Sequence, residues 1–303
     1  MSTQQTVLIT GATGFIGQHL IAYLLAHDYQ VIGMTRQRNK ISSQPNLCWV
    51  SSFEQIKNNN IDYVVNLAGE NIGQKRWSEH RKQQLTQSRV ATTRALYQWL
   101  AQQQIVPKVI VSGSAIGFYG IDPAEKWNDE CDETSPSQPI FMSELCQQWE
   151  KQALTDVQQN TKIMRLGIVF GQGGGILPQM LLPIRFNLVG KIGVGRQPIT
   201  WVHLDDVIQA ILFLFSSTST QKIYNVVTPD HIDQIQFAQT ASKILKRKPL
   251  LCLPKFVLKL MLGEQSQLVL NGQYVQPKAL LNEGFTFQYT HLEQALSQIL
   301  MHD

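Results

Sequence analysis

Three glycines near the start of the chain have the spacing of a phosphate-binding turn. Gly11, Gly14 and Gly17 follow the pattern G-x-x-G-x-x-G. Here the first glycine permits a sharp bend, the second lets the backbone approach a pyrophosphate, and the third lets a helix pack closely. A β-branched strand pattern at 7–10 precedes them and helical periodicity at 18–29 follows, so a diphosphate would meet the N–H groups of a helix start. We therefore predict a dinucleotide site formed by Gly11, Thr13, Gly14, Phe15, Ile16 and Gly17.

The end of the second predicted strand, at 30–36, indicates which dinucleotide binds. NAD-preferring enzymes carry an acidic residue here, which holds the ribose 2′-hydroxyl. This chain has Thr35 and Arg36, with Arg38 two residues further on. A guanidinium can bind a 2′-phosphate through two hydrogen bonds, whereas a carboxylate would repel it. The sequence favours NADP (NADPH) over NAD, with Thr35 and Arg36 in the site; the alternative is a pair of surface arginines.

Strand and helix patterns alternate beyond this point. Further strands are predicted at 61–70, 108–114, 161–170 and 223–227, and helices at 81–104, 142–157, 176–188 and 207–215, with a loop at 190–198. The alternation predicts an α/β fold, a Rossmann-like doubly wound parallel sheet with a smaller C-terminal substrate-side region. We place a dinucleotide-binding domain at 1–228, with a substrate-side flap at 172–200, and the C-terminal region at 229–303.

Ligands of open sheets bind outside the carboxyl ends of the strands. The predicted strand ends should therefore ring one cleft, which brings Gly171 and Ser114 near the glycine turn. The strand at 61–70 ends in small residues that would let its backbone pass close to the cofactor. We predict that this strand end forms the adenosine-side wall, with these residues: Leu67, Ala68, Gly69 and Glu70.

Composition narrows the class of protein. The chain has 303 residues, 43% of them hydrophobic and 16% charged, which is typical of a folded globular protein. The net charge of +4 comes without a long basic block, so we expect no nucleic-acid partner. The longest apolar stretch, 207–215, is far below the roughly 20 residues of a membrane span, and we expect no membrane partner. The N-terminus lacks a signal-peptide pattern. Four scattered cysteines predict a reducing cytoplasm and no metal site.

Several motifs together resemble the extended short-chain dehydrogenase/reductase superfamily, in its NAD-dependent epimerase/dehydratase-like branch. The motifs are TGATGFIG at 10–17, NLAG at 66–69, SGSA at 112–115 and WVHLDD at 201–206. SAIGFYG at 114–120 and the segment 254–284 resemble more narrowly the uncharacterised "epimerase family protein" group, which is sometimes loosely labelled as cell-division inhibitors. The resemblance spans nearly the whole chain and implies the same fold.

The resemblance also implies a catalytic set of Ser or Thr, Tyr, and Lys four residues after the Tyr. Tyr would act as general acid or base, and Lys would lower its pKa from the same helix face. Ser114 matches the first position. In the family a Glu often follows the Lys by four residues. If Glu150 is aligned with that Glu, Met142 and Cys146 occupy the positions of the Tyr and the Lys. The usual proton relay is therefore missing, as in the narrower group.

Other residues could supply the missing chemistry. Tyr119 follows Ser114 by five residues, and its hydroxyl could reach the cleft, or Phe118 and Tyr119 could pack under the loop. Glu70 could act as a base or hold a substrate, or could serve as a helix cap. Cys146 could be a thiol acid, although a small buried cysteine is the commoner outcome.

Three further groups have both a functional and a structural interpretation. Lys75 and Arg76 could bind an anionic substrate with Trp77 as an apolar wall, or form a solvated loop. His203 with Asp205 and Asp206 resembles a metal cluster, but we expect Asp205 or Asp206 to cap a helix. The glycines at 171–175 could admit the nicotinamide or form a hinge.

Two functions follow from these residues. The first is an NADP(H)-dependent oxidoreductase or epimerase-like enzyme acting on an unidentified small molecule, with Ser114 and Tyr119 as catalytic residues. The second is a non-catalytic NADP(H)-binding protein that reports redox state. Either could be a monomer or a homodimer.

Overall fold

A computed structural model describes residues 4–37, 43–57 and 60–301. The first half of the chain forms these elements: β1 Thr6–Thr10, α1 Phe15–Ala26, β2 Gln30–Met34, β3 Ser43–Gln44, β4 Leu47–Val50, β5 Tyr63–Asn66, α2 Glu79–Gln102, β6 Val109–Ala115, β7 Glu130–Cys131 and α3 Phe141–Ala153. Short 3-10 turns lie at Phe53–Gln55, Ile116–Tyr119 and Gly263–Ser266.

The second half begins in the same sheet and then builds the substrate-side region. Its elements are β8 Thr161–Leu166, β9 Ile168–Phe170, α4 Leu177–Arg185, β10 Val189–Ile192, β11 Trp201–His203, α5 Leu204–Ser216, β12 Ile223–Val226, α6 Gln234–Leu245, β13 Leu251–Leu253, α7 Lys255–Leu262, α8 Gln267–Leu270, β14 Tyr274–Val275, α9 Lys278–Asn282 and α10 Leu292–Leu300.

Within the described residues, the main sheet has the strand order β12-β8-β6-β5-β1-β2-β4-β3. All neighbouring strands are parallel except β3 and β4 at one edge. Apolar side chains of α1 and α5 cover one face, and those of α2 and α3 cover the other. The predicted doubly wound parallel sheet is confirmed. Because strand order runs outward in both directions from β1, the topological switch point lies between β1 and β5.

Two predicted elements were wrong. The strand expected at 161–170 divides at Gly167: β8 stays in the main sheet, while β9 pairs with β11. A Cβ on Gly167 would lie 2.9 Å from the carbonyl oxygen of Thr200, so a glycine is needed where the two segments pass. The loop expected at 190–198 contains part of β10, which pairs with β13 from a distant segment.

The C-terminal region shares its core with the rest of the chain. Leu280, Phe285 and Phe287 join the cluster that α1 and α5 form on the sheet. The Asp206 carboxylate accepts hydrogen bonds from the backbone N–H groups of Gln288 (2.7 Å) and Tyr289 (3.0 Å). The boundary at 228 thus remains a sequence prediction, drawn through a continuous core. Across 4–37, 43–57 and 60–301, no helix combines the length and apolar character needed to cross a membrane.

Candidate functional site

The glycine turn lies at the switch point of the sheet. Gly11 has φ +68°, and a Cβ there would lie 2.5 Å from the carbonyl oxygen of Leu67 at the end of β5. A Cβ on Gly17 would lie 2.5 Å from the carbonyl oxygen of Gly11. Gly14, the N-cap of α1, is exposed. We call the space in front of Gly14 and the first N–H groups of α1, beside the ends of β1 and β5, the crevice.

A buried polar network supports the floor of this crevice. The Thr10 hydroxyl donates to Asn66 Oδ1 (2.6 Å), and Asn66 Nδ2 donates to the hydroxyls of Thr93 (2.9 Å) and Ser112 (3.0 Å). The Ala68 N–H donates to the Thr10 hydroxyl at 3.3 Å. These bonds fix the ends of β1 and β5 and hold the predicted Leu67–Gly69 wall against the glycine turn.

Arg36 and Glu70 meet at the side of the crevice that β2 reaches. The Arg36 side chain is 87% exposed, and its guanidinium lies 3.9 Å from Glu70 Oε1. Thr35 is buried, and its hydroxyl accepts the N–H of Gln37 at 3.0 Å, which shapes the turn after β2. Arg38 lies outside the described residues. The Arg36 guanidinium is thus exposed beside Glu70, and Thr35 shapes the backbone turn that carries it.

Glu70 is anchored on its other side by Arg81. The hydrogen bond from the Arg81 guanidinium is the main reason that the pKa of the Glu70 carboxyl is lowered. Arg81 itself is buried and also donates to the carbonyl oxygen of Asn71 (2.9 Å). An ionised Glu70 therefore faces Arg36, and a 2′-phosphate would compete with it for that guanidinium.

Ser114 is hydrogen-bonded to a buried ion pair, which Glu150 and Arg165 form. Its hydroxyl donates to Glu150 Oε1 (2.6 Å), and Arg165 donates to both carboxylate oxygens of Glu150 (2.9 and 2.8 Å). Tyr119 is 1% exposed; its hydroxyl donates to Asn225 Oδ1 (2.7 Å) and accepts from Arg165 (2.9 Å). Burial raises the pKa of Tyr119 to about 12. Of the two expectations for Tyr119, the structure has it packed beneath the loop, and its catalytic role remains a prediction.

The two α3 positions that should carry the proton relay hold no ordinary acid or base. Met142 and Cys146, at the positions of the implied Tyr and Lys, are both buried. Burial raises the pKa of the Cys146 thiol to about 11, so the thiolate form is disfavoured. Neither side chain therefore presents an acid or base of ordinary pKa to the cleft.

A comparison of the sequence with known protein families agrees with the motifs. Residues 7–227 match the NAD dependent epimerase/dehydratase family. The chain belongs to this family. Residues 253–299 match a separate domain of unknown function, DUF1731. The resemblance drawn from the motifs is confirmed.

Two similar family members extend along the whole chain. Epimerase family protein YfhF of Bacillus subtilis is 33% identical over 301 residues, which is 97% of each chain. A crystal structure of the human epimerase family protein SDR39U1 with NADPH is 30% identical, with a TM-score of 0.87 over 99% of this chain and 100% of that one.

A more distant structure shares the fold alone. It is a UDP-glucuronic acid 4-epimerase from Bacillus cereus in complex with UDP-glucuronic acid and NAD, 16% identical, with a TM-score of 0.75 over 98% of this chain and 99% of that one.

Arg89 lies beside the end of β5 in this epimerase-family chain, and no role for it was predicted from the sequence. Its guanidinium lies 5.3 Å from the ring centroid of Trp149 and donates to the carbonyl oxygen of Glu70 (2.9 Å). A Cβ on Gly69 would lie 3.1 Å from the guanidinium carbon. Arg89 comes from α2, so only the fold brings it to the β5 end; its spacing within the helix gave no signal.

The loop after β5 is partly structural. Trp77 is buried, donates to the carbonyl oxygen of Ile72 (3.0 Å) and packs edge-on against Phe141. It therefore belongs to the core and does not form an exposed wall. Lys75 and Arg76 are exposed, as either interpretation of this loop requires.

The prediction that Asp205 or Asp206 caps a helix was wrong. His203 itself is the N-cap of α5, since its Nδ1 accepts the Asp205 N–H at 3.1 Å. Asp205 and Asp206 lie in the first turn of that helix. Among the described parts of the chain, no three His, Cys, Asp or Glu side chains are grouped so as to hold a metal ion.

The glycines at 171–175, which follow β9, pack against Phe15 at the start of α1. A Cβ on Gly174 would lie 2.5 Å from the Phe15 ring, and one on Gly175 would lie 3.0 Å from it. These glycines thus bring the flap directly against the start of α1.

Proposed function

We propose that this protein binds NADP(H) in the crevice between β1 and β5 and transfers hydride between the nicotinamide and a small molecule. The observation that carries the proposal is the position of Arg36, which is 87% exposed at the tip of β2 and close to an otherwise backbone-lined crevice. The NADPH in the structure of the similar human protein supports the same choice of cofactor.

The residues present fit a dinucleotide. At Gly11 and Gly17 a Cβ would overlap the backbone that forms the cradle. The N–H groups that follow Gly14 would bind the diphosphate, Arg36 would bind the 2′-phosphate, and the Leu67–Gly69 backbone would line the adenosine. When bound, the nicotinamide supplies or accepts the hydride.

In this proposal Ser114 holds the reacting oxygen of the substrate. Its hydroxyl would turn from Glu150 to donate to that oxygen, and Tyr119 or a water molecule would exchange the proton. Both hydroxyls already contact the Glu150–Arg165 pair, so a shift in one is coupled to the other. Arg89 adds positive charge beside the β5 end, where it would favour an anionic substrate.

A second function is favoured by a different observation. Ser114, Tyr119 and Cys146 are all buried, and the pKa values of Tyr119 and Cys146 are raised. A protein that binds NADP(H) without turnover needs no exposed acid or base. In that role the chain would report the redox state of the cofactor pool to a partner.

The cofactor is tested by titrating the protein with NADPH and then NADH while following nicotinamide fluorescence. Charge-assisted hydrogen bonds contribute about 1.5–3 kcal/mol, so Arg36→Ala should weaken NADPH binding by roughly 10- to 150-fold. NADH binding should be unchanged. Arg247→Ala, at an exposed arginine outside the crevice, is the matched control. Absence of binding by either nucleotide would refute both functions.

Turnover separates the two functions. A panel of carbonyl compounds and nucleotide sugars is assayed with the wild type, Ser114→Ala and Tyr119→Phe. Hydride transfer predicts turnover that Ser114→Ala lowers by about 10²-fold or more, the usual effect of losing a group that acts in the transition state. NADPH binding without turnover on any substrate would favour the reporting function.

A further inference from the structure

Exposed apolar side chains are concentrated in the substrate-side region. Among the described residues, twelve of the sixteen large hydrophobic side chains that are exposed lie between 176 and 269. They include Phe186 (67% exposed), Leu250 (87%), Phe256 (70%) and Leu260 (77%). Exposed apolar residues scattered singly need no explanation, but a concentration of this kind marks a binding surface.

The elements that carry these side chains adjoin one another. β10 and β13 are paired, and the carbonyl oxygen of Leu188 accepts the N–H of Leu251 at 2.9 Å. α4 ends four residues before β10, and α7 begins two residues after β13. Leu182 and Phe186 are four residues apart at the end of α4. We call the surface formed by α4, β10, β13 and α7 the apolar face.

α7 is the element least explained by packing within the chain. Leu258 is its one buried residue. Phe256 and Leu260 are four residues apart and so share one side of the helix, which is turned to solvent. An amphipathic helix normally buries its apolar side, whereas Phe256 and Leu260 on α7 stay exposed among the described residues.

The segments that form the apolar face are strongly basic. Residues 177–192 and 246–262, which span these elements and the loop before β13, contain no Asp or Glu and seven Lys or Arg, although the whole chain has 22 acidic and 26 basic residues. One of these lysines, Lys255, pairs with an acid from elsewhere, Glu125. Arg247, Lys248 and Lys259 are exposed and add net positive charge.

The charge selects among possible partners. A second copy in a symmetric contact would bring two basic surfaces together, and like charges repel. Protein–protein interfaces are depleted in lysine, yet five of these seven basic residues are lysines. Apolar side chains surrounded by Lys and Arg are the composition of surfaces that lie on anionic lipid.

We propose that the apolar face binds the surface of an anionic membrane. Phe256 and Leu260 enter the boundary between headgroups and acyl chains, and the neighbouring lysines and arginines contact the anionic headgroups. No membrane partner was expected from the sequence, because no apolar stretch is long enough to span a membrane. A peripheral face is assembled from segments that are far apart in the chain, so no single stretch reveals it.

The test is flotation of the purified chain with vesicles of phosphatidylcholine, with and without about 30% phosphatidylglycerol. We expect binding to the anionic vesicles only, weakened by salt. Replacing Arg247, Lys248 and Lys259 by glutamine should weaken binding by roughly 100-fold, or about fivefold for each charge. Phe256→Ser with Leu260→Ser should weaken it by about tenfold or more.

Val106→Ser with Val157→Ser is the matched control, since both valines are exposed outside the apolar face. It should leave vesicle binding unchanged, and far-ultraviolet circular dichroism should be the same for all variants. Failure to bind anionic vesicles, or equal losses in the control, would overturn the proposal. A dimer in solution that Phe256→Ser with Leu260→Ser dissociates would assign the face to a second copy. None of these outcomes depends on NADPH binding.

Discussion

Removing one partner of the buried Glu150–Arg165 ion pair should strongly destabilise the fold, and Glu150→Gln tests this. Both side chains are less than a tenth exposed, and Glu150 accepts three hydrogen bonds, one from Ser114 and two from Arg165. Glutamine keeps one acceptor oxygen but turns an amide donor toward a guanidinium donor. The Arg165 charge is then left with the Tyr119 hydroxyl and the Phe118 ring, whose centroid lies 3.4 Å from it.

Removing one partner of a buried ion pair costs about 3–5 kcal/mol, because the other charge stays buried without compensation. We therefore expect Glu150→Gln to lower the free energy of unfolding by about 3 kcal/mol or more. The assay is equilibrium unfolding in urea, followed by tryptophan fluorescence and circular dichroism, with the free energy taken from midpoint and slope. Coincident transitions would support two-state analysis.

The exposed pair Lys243–Glu293 provides the matched control. Its atoms are 2.7 Å apart, but its side chains are 70% and 57% exposed. Solvent screens such a pair, so Glu293→Gln should cost only about 0–1 kcal/mol. Replacing both buried charges, as Glu150→Leu with Arg165→Met, should cost less than the sum of the single changes. If Glu150→Gln costs no more than Glu293→Gln, the reasoning is refuted.

Two further predictions concern the glycine turn and the α5 cap. Gly11→Ala should destabilise the fold by about 2–4 kcal/mol, because φ is positive and the Cβ would overlap Leu67. Gly14→Ala should cost less, because φ there is −74° and its Cβ would lie 3.0 Å from the Gly11 carbonyl oxygen, but it should weaken NADPH binding. Burial lowers the pKa of His203 in the folded chain. As pH falls from about 7.5 to 6, this histidine therefore gains a proton in the unfolded chain before it does so in the folded chain. The free energy of unfolding should fall over that range. His203→Asn, which can still cap α5, should flatten this dependence in urea unfolding at the two pH values, and the exposed His80→Asn should not.

Local patterns predicted the parts of the fold that depend on local chemistry. The glycine turn, the strand at 223–227 and the alternation of strands and helices were read correctly because each is decided by a few adjacent residues. β10 was missed because its partner, β13, lies about sixty residues away. Gly167 gave no signal of a break between strands, since the close backbone of Thr200 exists only in the folded chain.

The site was predicted less completely, for the same reason. Arg165 and Arg89 lie on a strand and a helix, and the sequence predicted those elements but no role for either arginine. Each becomes important because the fold brings it to Glu150 or to the end of β5. The sequence showed that the Tyr and Lys positions are filled by Met142 and Cys146, but not that Glu150, on the same helix face, is held by Arg165.

The hydrogen bond from Ser114 to Glu150 restricts which substrates an enzymatic function could use. A substrate oxygen can accept the Ser114 hydroxyl only by displacing an ionised acceptor at 2.6 Å. A hydrogen bond to a charged group contributes about 1.5–3 kcal/mol, so the substrate must recover that free energy from its other contacts. An anionic substrate that also binds Arg89 recovers more of it than a small neutral carbonyl, which lacks that contact. If turnover is found, we therefore expect it first with anionic substrates, and Arg89→Gln should remove that preference.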